Sequence, residues 1–291
     1  MSMEFSHPEY LVRTDWLAQN LNNPNVVVLD CTTHLIPNPK ITYDIVPGRK
    51  EYEEGHILGA QFIDLSNDLS DTSHKFRFMR QSPESFATAI GRFGVGEHTK
   101  VILYSMTSVQ WASRVWWLLR EFGHDNAAVL DGGFTKWNRE GRPIETGPSS
   151  PRPPHVFKVR QVRNLMADAQ EVLDAIGDTA ICTLNALRPE QHAGSGGNTY
   201  GRPGRIKGSV NLPAGALIDP DTGCFLSAEK LHEKFASVGA LDKKVITYCG
   251  GGIAASADAL ALVMLGNADV KLYDASMSEW AKDAVLPMEI G

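Results

Sequence analysis

The residues best suited to chemistry lie in one short run, Val245-Ile246-Thr247-Tyr248-Cys249-Gly250-Gly251-Gly252-Ile253-Ala254-Ala255-Ser256. A β-branched and aromatic stretch ends on a thiol. Three glycines follow, and an alanine- and leucine-rich stretch to Leu265 then reads as helix. Successive glycines open backbone dihedrals closed to other residues, so consecutive N–H groups can turn inward on one negative charge. The helix start adds free N–H groups and the positive end of its dipole. A thiol at Cys249, cradled by Gly250, Gly251, Gly252, Ile253 and Ala254, is therefore expected to be acidified and nucleophilic. The competing reading is a small buried hydrophobe at a strand end, a common fate of free cysteine. The glycines weigh against it, because three in a row carry an entropic cost that a structural turn seldom needs.

Such a loop needs a sheet to hold it, and the chain supplies two. Val101-Ile-Leu-Tyr104-Ser105 matches Val245-Ile-Thr-Tyr248-Cys249, with Tyr248 following Tyr104 by 144 residues. The segment from Ala128 to Trp137 matches that from Lys271 to Trp280 at an offset of 143, and Gly55-His-Ile-Leu-Gly-Ala60 matches Gly204-Arg-Ile-Lys-Gly-Ser209. The chain is thus an internal repeat. Its junction is the proline-rich Gly147-Pro-Ser-Ser-Pro-Arg-Pro-Pro154, unsuited to helix or central strand. This gives domains at 1–147 and 156–291, joined by a linker at 148–155.

In the first copy the patterns predict strands at 26–29, 101–104 and 127–130, with helices at 84–93 and 110–122. The second copy predicts strands at 180–184, 245–248 and 270–273, with helices at 228–237 and 254–265. Strand and helix in alternation imply an α/β fold: two tandem domains, each a mostly parallel sheet flanked by helices on both faces. Ligands in such sheets lie at the carboxyl ends of strands, where Cys249 falls.

Composition narrows the function classes. The 291 residues exceed a usual single domain, and a formal net charge of −6 gives no basic footprint for nucleic acid. No 18-residue apolar run and no basic, apolar leader appear, so no membrane partner and a cytoplasmic location are expected. The four cysteines, Cys31, Cys182, Cys224 and Cys249, form no CxxC pair, which argues against a disulfide framework and a zinc site.

The chain resembles the two-domain rhodanese-like sulfurtransferases, the group of thiosulfate and 3-mercaptopyruvate sulfurtransferases, over nearly its whole length. The resemblance rests on Gly55-His-Ile-Leu-Gly-Ala60, Ser113-Arg-Val-Trp-Trp117, Leu130-Asp-Gly-Gly-Phe134 with Trp137, Gly208-Ser-Val-Asn211 and the Cys249 loop. It implies an inactive N-terminal copy, with Ser105 where a nucleophile would stand. It also implies a ping-pong reaction in which Cys249 takes sulfane sulfur from a small anionic donor as a persulfide. A thiol, a thioredoxin-like protein or cyanide then accepts it, with no cofactor or metal. The absence of a basic residue from Gly250 to Ala254 is closer to the 3-mercaptopyruvate type than to the thiosulfate type.

Three positions depart from that family. The strand-end motif Asp-x-Arg, whose arginine helps hold the donor, is replaced by Asn185-Ala186-Leu187, with Arg188 one residue later. Arg205 stands for the usual histidine of Gly-His-Ile in the second copy, and Gly251 for a loop serine of mercaptopyruvate enzymes. Arg188, Arg202, Arg205 and, from the first domain, Arg49 are the candidate donor-binding residues, since a guanidinium fork suits carboxylate or sulfonate. The competing reading for each is a solvated or ion-paired loop arginine. Trp111, Trp116 and Trp117 are expected in the core or domain interface, and Ser276 as a cap for the segment leading to Trp280.

Two other functions compete. A cysteine-dependent phosphatase would need C-x5-R, but the sixth residue after Cys249 is Ala255. A non-catalytic interaction or persulfide-carrier module without the usual donor recognition would be consistent with Leu187 and Gly251.

Overall fold

The computed structural model describes residues 3–197 and 199–291. Two five-stranded sheets, every pairing parallel, form its centre. The first runs in the order Leu11–Val12, Ala127–Leu130, Lys100–Tyr104, Val26–Asp30, Gln61–Phe62. The second runs Met166–Ala167, Val270–Tyr273, Lys244–Tyr248, Ile181–Asn185, Val210–Asn211. The two orders correspond strand for strand, as the repeat requires. The central strands Val26–Asp30, Lys100–Tyr104 and Lys244–Tyr248 are almost wholly buried, which explains their continuous apolar runs.

Helices cover both faces. Pro83–Gly91 is capped by the Ser82 hydroxyl, which accepts from the Ser85 N–H, and Ala228–Ser237 is capped in the same way by Ser227. The helices that follow the two candidate loops, Val109–Glu121 and Ala254–Met264, pack against one another across the domain boundary. The second is buried on nearly every face, which is why its sequence is apolar without periodicity. Asp258, midway along it, is fully buried, and burial raises its carboxyl well above the ordinary range. Trp116 and Trp117 are fully packed in this shared core.

The domain boundary has a near-symmetric clasp. Asp131 and Asp274, equivalent in the repeat, each follow a sheet strand. The Asp131 carboxylate accepts from the Phe225 N–H of the second domain at 2.9 Å, and that of Asp274 accepts from the Arg80 N–H of the first at 2.8 Å. Residues 146–165 form no helix and run along the first domain, where the Arg152 guanidinium donates to the carbonyls of Val26 and Pro24.

One element stands outside both sheets. Thr33–Asn38 and Thr42–Pro47 pair as an antiparallel hairpin around Asn38-Pro39-Lys40-Ile41. It reaches from the first domain to the second, and the Thr42 hydroxyl donates to the Thr199 carbonyl at 2.6 Å.

Candidate active site

Cys249 ends strand Lys244–Tyr248, at the floor of a cavity of about 1360 Å³ between the domains. The residue is only 2% exposed, and its backbone is fixed from behind. Its N–H donates to the Ser276 hydroxyl at 3.1 Å, while that hydroxyl donates to the Tyr273 carbonyl at 2.7 Å. Ser276 does this from a positive φ of 52°, an uncommon backbone state for a residue with a side chain. Ser276 therefore positions Cys249 and is not the helix cap expected of it: it is the first residue of helix Ser276–Trp280, whose cap position is Ala275 and has no side-chain cap bond.

The glycine loop is clamped by its carbonyls and leaves its N–H groups free. The Gly250 carbonyl accepts from both the N–H and the hydroxyl of Ser278, at 2.9 and 2.7 Å. The Gly252 carbonyl faces the Arg114 guanidinium at 3.5 Å. Gly252 has a φ of 75°, and a methyl group there would lie 2.8 Å from the Asp274 carbonyl and 3.1 Å from Arg114, so only glycine fits. Among the described residues, none of the N–H groups from Gly250 to Ile253 donates to a protein acceptor. Together with the start of helix Ala254–Met264 they are the unbonded donors that an anion cradle at this place would use.

Arg114 holds this loop from the other domain. Buried on helix Val109–Glu121, it donates to Asp274 at 2.6 Å and to the Phe78 carbonyl at 2.5 Å. An arginine of the first copy thus fixes the glycine turn of the second, which holds Cys249.

The cavity wall comes from three places. The hairpin contributes Leu35, Lys40, Ile41 and Tyr43, a following loop contributes Lys75, Phe76 and Arg77, and the second domain contributes Leu187, Arg188, Tyr200, Ser278 and Lys282. Trp111 also lines it, packed against Phe78. The cavity wall therefore mixes apolar side chains with five cationic ones, in a chain of net negative charge.

Of the four candidate arginines, the structure brings only Arg188 into this cavity. Arg202 donates to the carbonyls of Ala281, Trp280, Asp283 and Leu286, and so ties its loop to the C-terminal segment. Arg205 bonds the Gly291 carbonyl and lies 3.5 Å from Glu289, on the strand that pairs with its own. In the first copy His56 meets Glu145 at 3.0 Å across the equivalent strand pair. Arg205 thus fills the structural place of that histidine. Arg49 lies over the Phe62 ring at 4.7 Å, outside the lining residues.

Sequence reading passed over the hairpin, Arg114, Ser278 and Tyr200. Ser278 matters for the absent loop serine, since its hydroxyl lies 3.6 Å from where a Gly251 side chain would begin. A hydroxyl reaches the same part of the loop from a segment 27 residues further on.

With this geometry in place, comparison with known proteins is decisive. The model of the rhodanese-like domain matches twice, at residues 13–140 and 168–283. The chain belongs to the rhodanese-like family. Within it, the chain is a two-domain sulfurtransferase. It is 33% identical over 293 residues to thiosulfate sulfurtransferase of Rattus norvegicus, covering 94% of this chain and 92% of the relative. It is 32% identical over 287 residues to 3-mercaptopyruvate sulfurtransferase of Homo sapiens, covering 93% and 91%. The crystal structure of SseA from Escherichia coli, a 3-mercaptopyruvate sulfotransferase, superposes with a TM-score of 0.80 at 29% identity, over 92% of this chain and 98% of that one. No helix among the described residues is long and apolar enough to cross a membrane.

Proposed function

We propose that this sulfurtransferase carries sulfane sulfur as a persulfide on Cys249. It takes the sulfur from a small anionic donor, 3-mercaptopyruvate or thiosulfate, and passes it to a thiol, a thioredoxin-like protein or cyanide. The observation that carries this reading is the set of unbonded N–H groups from Gly250 to Ile253 beside a thiol on the floor of a cation-rimmed cavity.

The thiolate attacks the outer sulfur of the donor, a sulfur–sulfur bond forms, and the rest of the donor leaves with the electron pair. The persulfide anion then rests in the cradle, where preorganised N–H groups meet its charge without reorganising. Arg188, with Lys40, Lys75, Arg77 and Lys282 around the rim, favours entry of an anion. The loop itself holds no cation, which supports 3-mercaptopyruvate over thiosulfate as the better donor.

Initial rates measured over a grid of donor and cyanide concentrations test this. A persulfide carrier gives parallel double-reciprocal lines for whichever donor it uses. Intersecting lines would require both substrates to be bound at once, and would contradict the reading.

A further inference from the structure

One cavity group has no role in the steps above. Tyr200 lines the cavity with Cys249, and its ring and hydroxyl lie so close over Gly250 that a methyl group on that glycine would overlap them. Its segment is tied to the first domain's hairpin through the bond from Thr42 to the Thr199 carbonyl at 2.6 Å. The hairpin also places Tyr43 in the same lining. The Tyr200 hydroxyl carries a proton that it can turn into the cavity.

We propose that the Tyr200 hydroxyl is the hydrogen-bond donor that meets the negative charge developing on the carbonyl oxygen of a 2-keto-3-thiol acid donor. The proposal rests on the persulfide reading. The step balances as follows. The Cys249 thiolate attacks the donor sulfur, the sulfur–sulfur bond forms, and the carbon–sulfur bond breaks. The released pair makes an enolate whose charge spreads onto the keto oxygen, next to the Tyr200 phenol. The proton of the donor thiol ends on the enolate carbon, which leaves a persulfide anion and a 2-keto acid with a methyl terminus. The transferred sulfur is oxidised as the carbon is reduced, so no outside oxidant is needed.

Burial above all, then the neighbouring Cys249 and Tyr43, pushes the Tyr200 phenol far above its usual range. It stays protonated at any working pH and serves as a donor, not as a base. A fixed neutral donor in a site shielded from water is the arrangement that stabilises a developing oxyanion. Thiosulfate offers a contrast, because sulfite leaves with charge already present on its oxygens and gains less from one added donor.

The test is single-turnover persulfide formation in wild type, Tyr200→Phe and Tyr43→Phe, with 3-mercaptopyruvate and with thiosulfate. Discharge of the preformed persulfide to cyanide is followed separately. Tyr200→Phe is expected to slow sulfur uptake from 3-mercaptopyruvate about a hundredfold and uptake from thiosulfate far less, with discharge unchanged. Tyr43→Phe is expected to slow the same step by a smaller factor, because Tyr43 lines the cavity without standing over Gly250. Equal losses with both donors, or none, would overturn the proposal. So would a wild type that accepts sulfur from thiosulfate alone. A wild type that forms no persulfide from either donor would instead overturn the reading beneath it. Unchanged alkylation of Cys249 in each variant excludes a collapsed loop as the cause.

Discussion

The loop after Tyr104 and the loop after Tyr248 occupy the same place in two copies of one sheet, yet their N–H groups have opposite fates. In the first copy the Ser105 hydroxyl accepts from the N–H groups of Thr107 and Ser108, at 3.2 and 3.4 Å, and the Met106 N–H donates to the Thr32 hydroxyl at 2.9 Å. That loop is satisfied by side chains of its own copy, Ser105 and Thr32. In the second copy three glycines offer no side chain, and the N–H groups from Gly250 to Ile253 remain available to an anion. The cavities differ in the same sense. The one beside Ser105 measures about 360 Å³ and has no lysine or arginine in its lining, against about 1360 Å³ and five cations beside Cys249. Replacing the nucleophile is thus only part of what separates the copies. The first has also closed its cradle and contributes Arg114 and the hairpin to the other site.

Removing that contribution should have the largest effect. Arg114→Ala leaves Asp274 buried with no cation beside it, and loss of one partner of a buried pair costs about 3 to 5 kcal/mol. Denaturant unfolding should show this loss together with falling activity. An unchanged midpoint would mean that the two domains do not depend on this pair.

A second difference between the copies lies one strand away. Asp30 stands where the second copy has Asn185, and each side chain accepts a backbone N–H two residues on, from Thr32 at 2.8 Å and Leu187 at 2.9 Å. Burial, against opposing bonds from Thr32, raises the Asp30 carboxyl from its ordinary 3.8 to about 6. The folded state therefore holds this proton more tightly than the unfolded chain. Stability from this group is full below about pH 4 and is lost as pH rises towards 6, by about 3 kcal/mol. Asp30→Asn keeps the acceptor and removes the charge. It should raise the unfolding midpoint at pH 8, with the gain shrinking as pH falls to 4. A gain independent of pH would show that the carboxyl is not the cause.

The smallest effect is the most specific. Ser105→Cys, made in a Cys249→Ser background, should take up no sulfur from either donor, because the Met106 N–H stays engaged by Thr32, the loop lacks the three glycines, and its cavity has no lysine or arginine in its lining. Sulfur uptake there would show that the nucleophile alone distinguishes the copies.

Much of this was legible in the chain. The repeat at 143 to 144 residues predicts two sheets of one order, and the predicted strands at 127–130 and 270–273 coincide with those observed. Cys249 and its glycines announce a cradle because their spacing is local and their backbone demands are particular to glycine. The arginines were less legible, since a guanidinium reads the same whether it faces a cavity or the carbonyls of a distant segment. Arg202 finds its acceptors some 80 residues away. The hairpin did carry a signal, β-branched residues on either side of Asn38-Pro39, but nothing local tells that it crosses to the other domain. Tyr200 carried none, because its significance depends on Gly250 beneath it and Tyr43 opposite.

The central claim is that Cys249 alone carries the transferred sulfur. Intact mass after brief exposure to 3-mercaptopyruvate or thiosulfate, on the native protein and on Cys249→Ser, tests it most directly. The account predicts a gain of one sulfur atom in the native protein with at least one donor, and none in Cys249→Ser. A gain that survives the substitution, or no gain in the native protein with either donor, would contradict it.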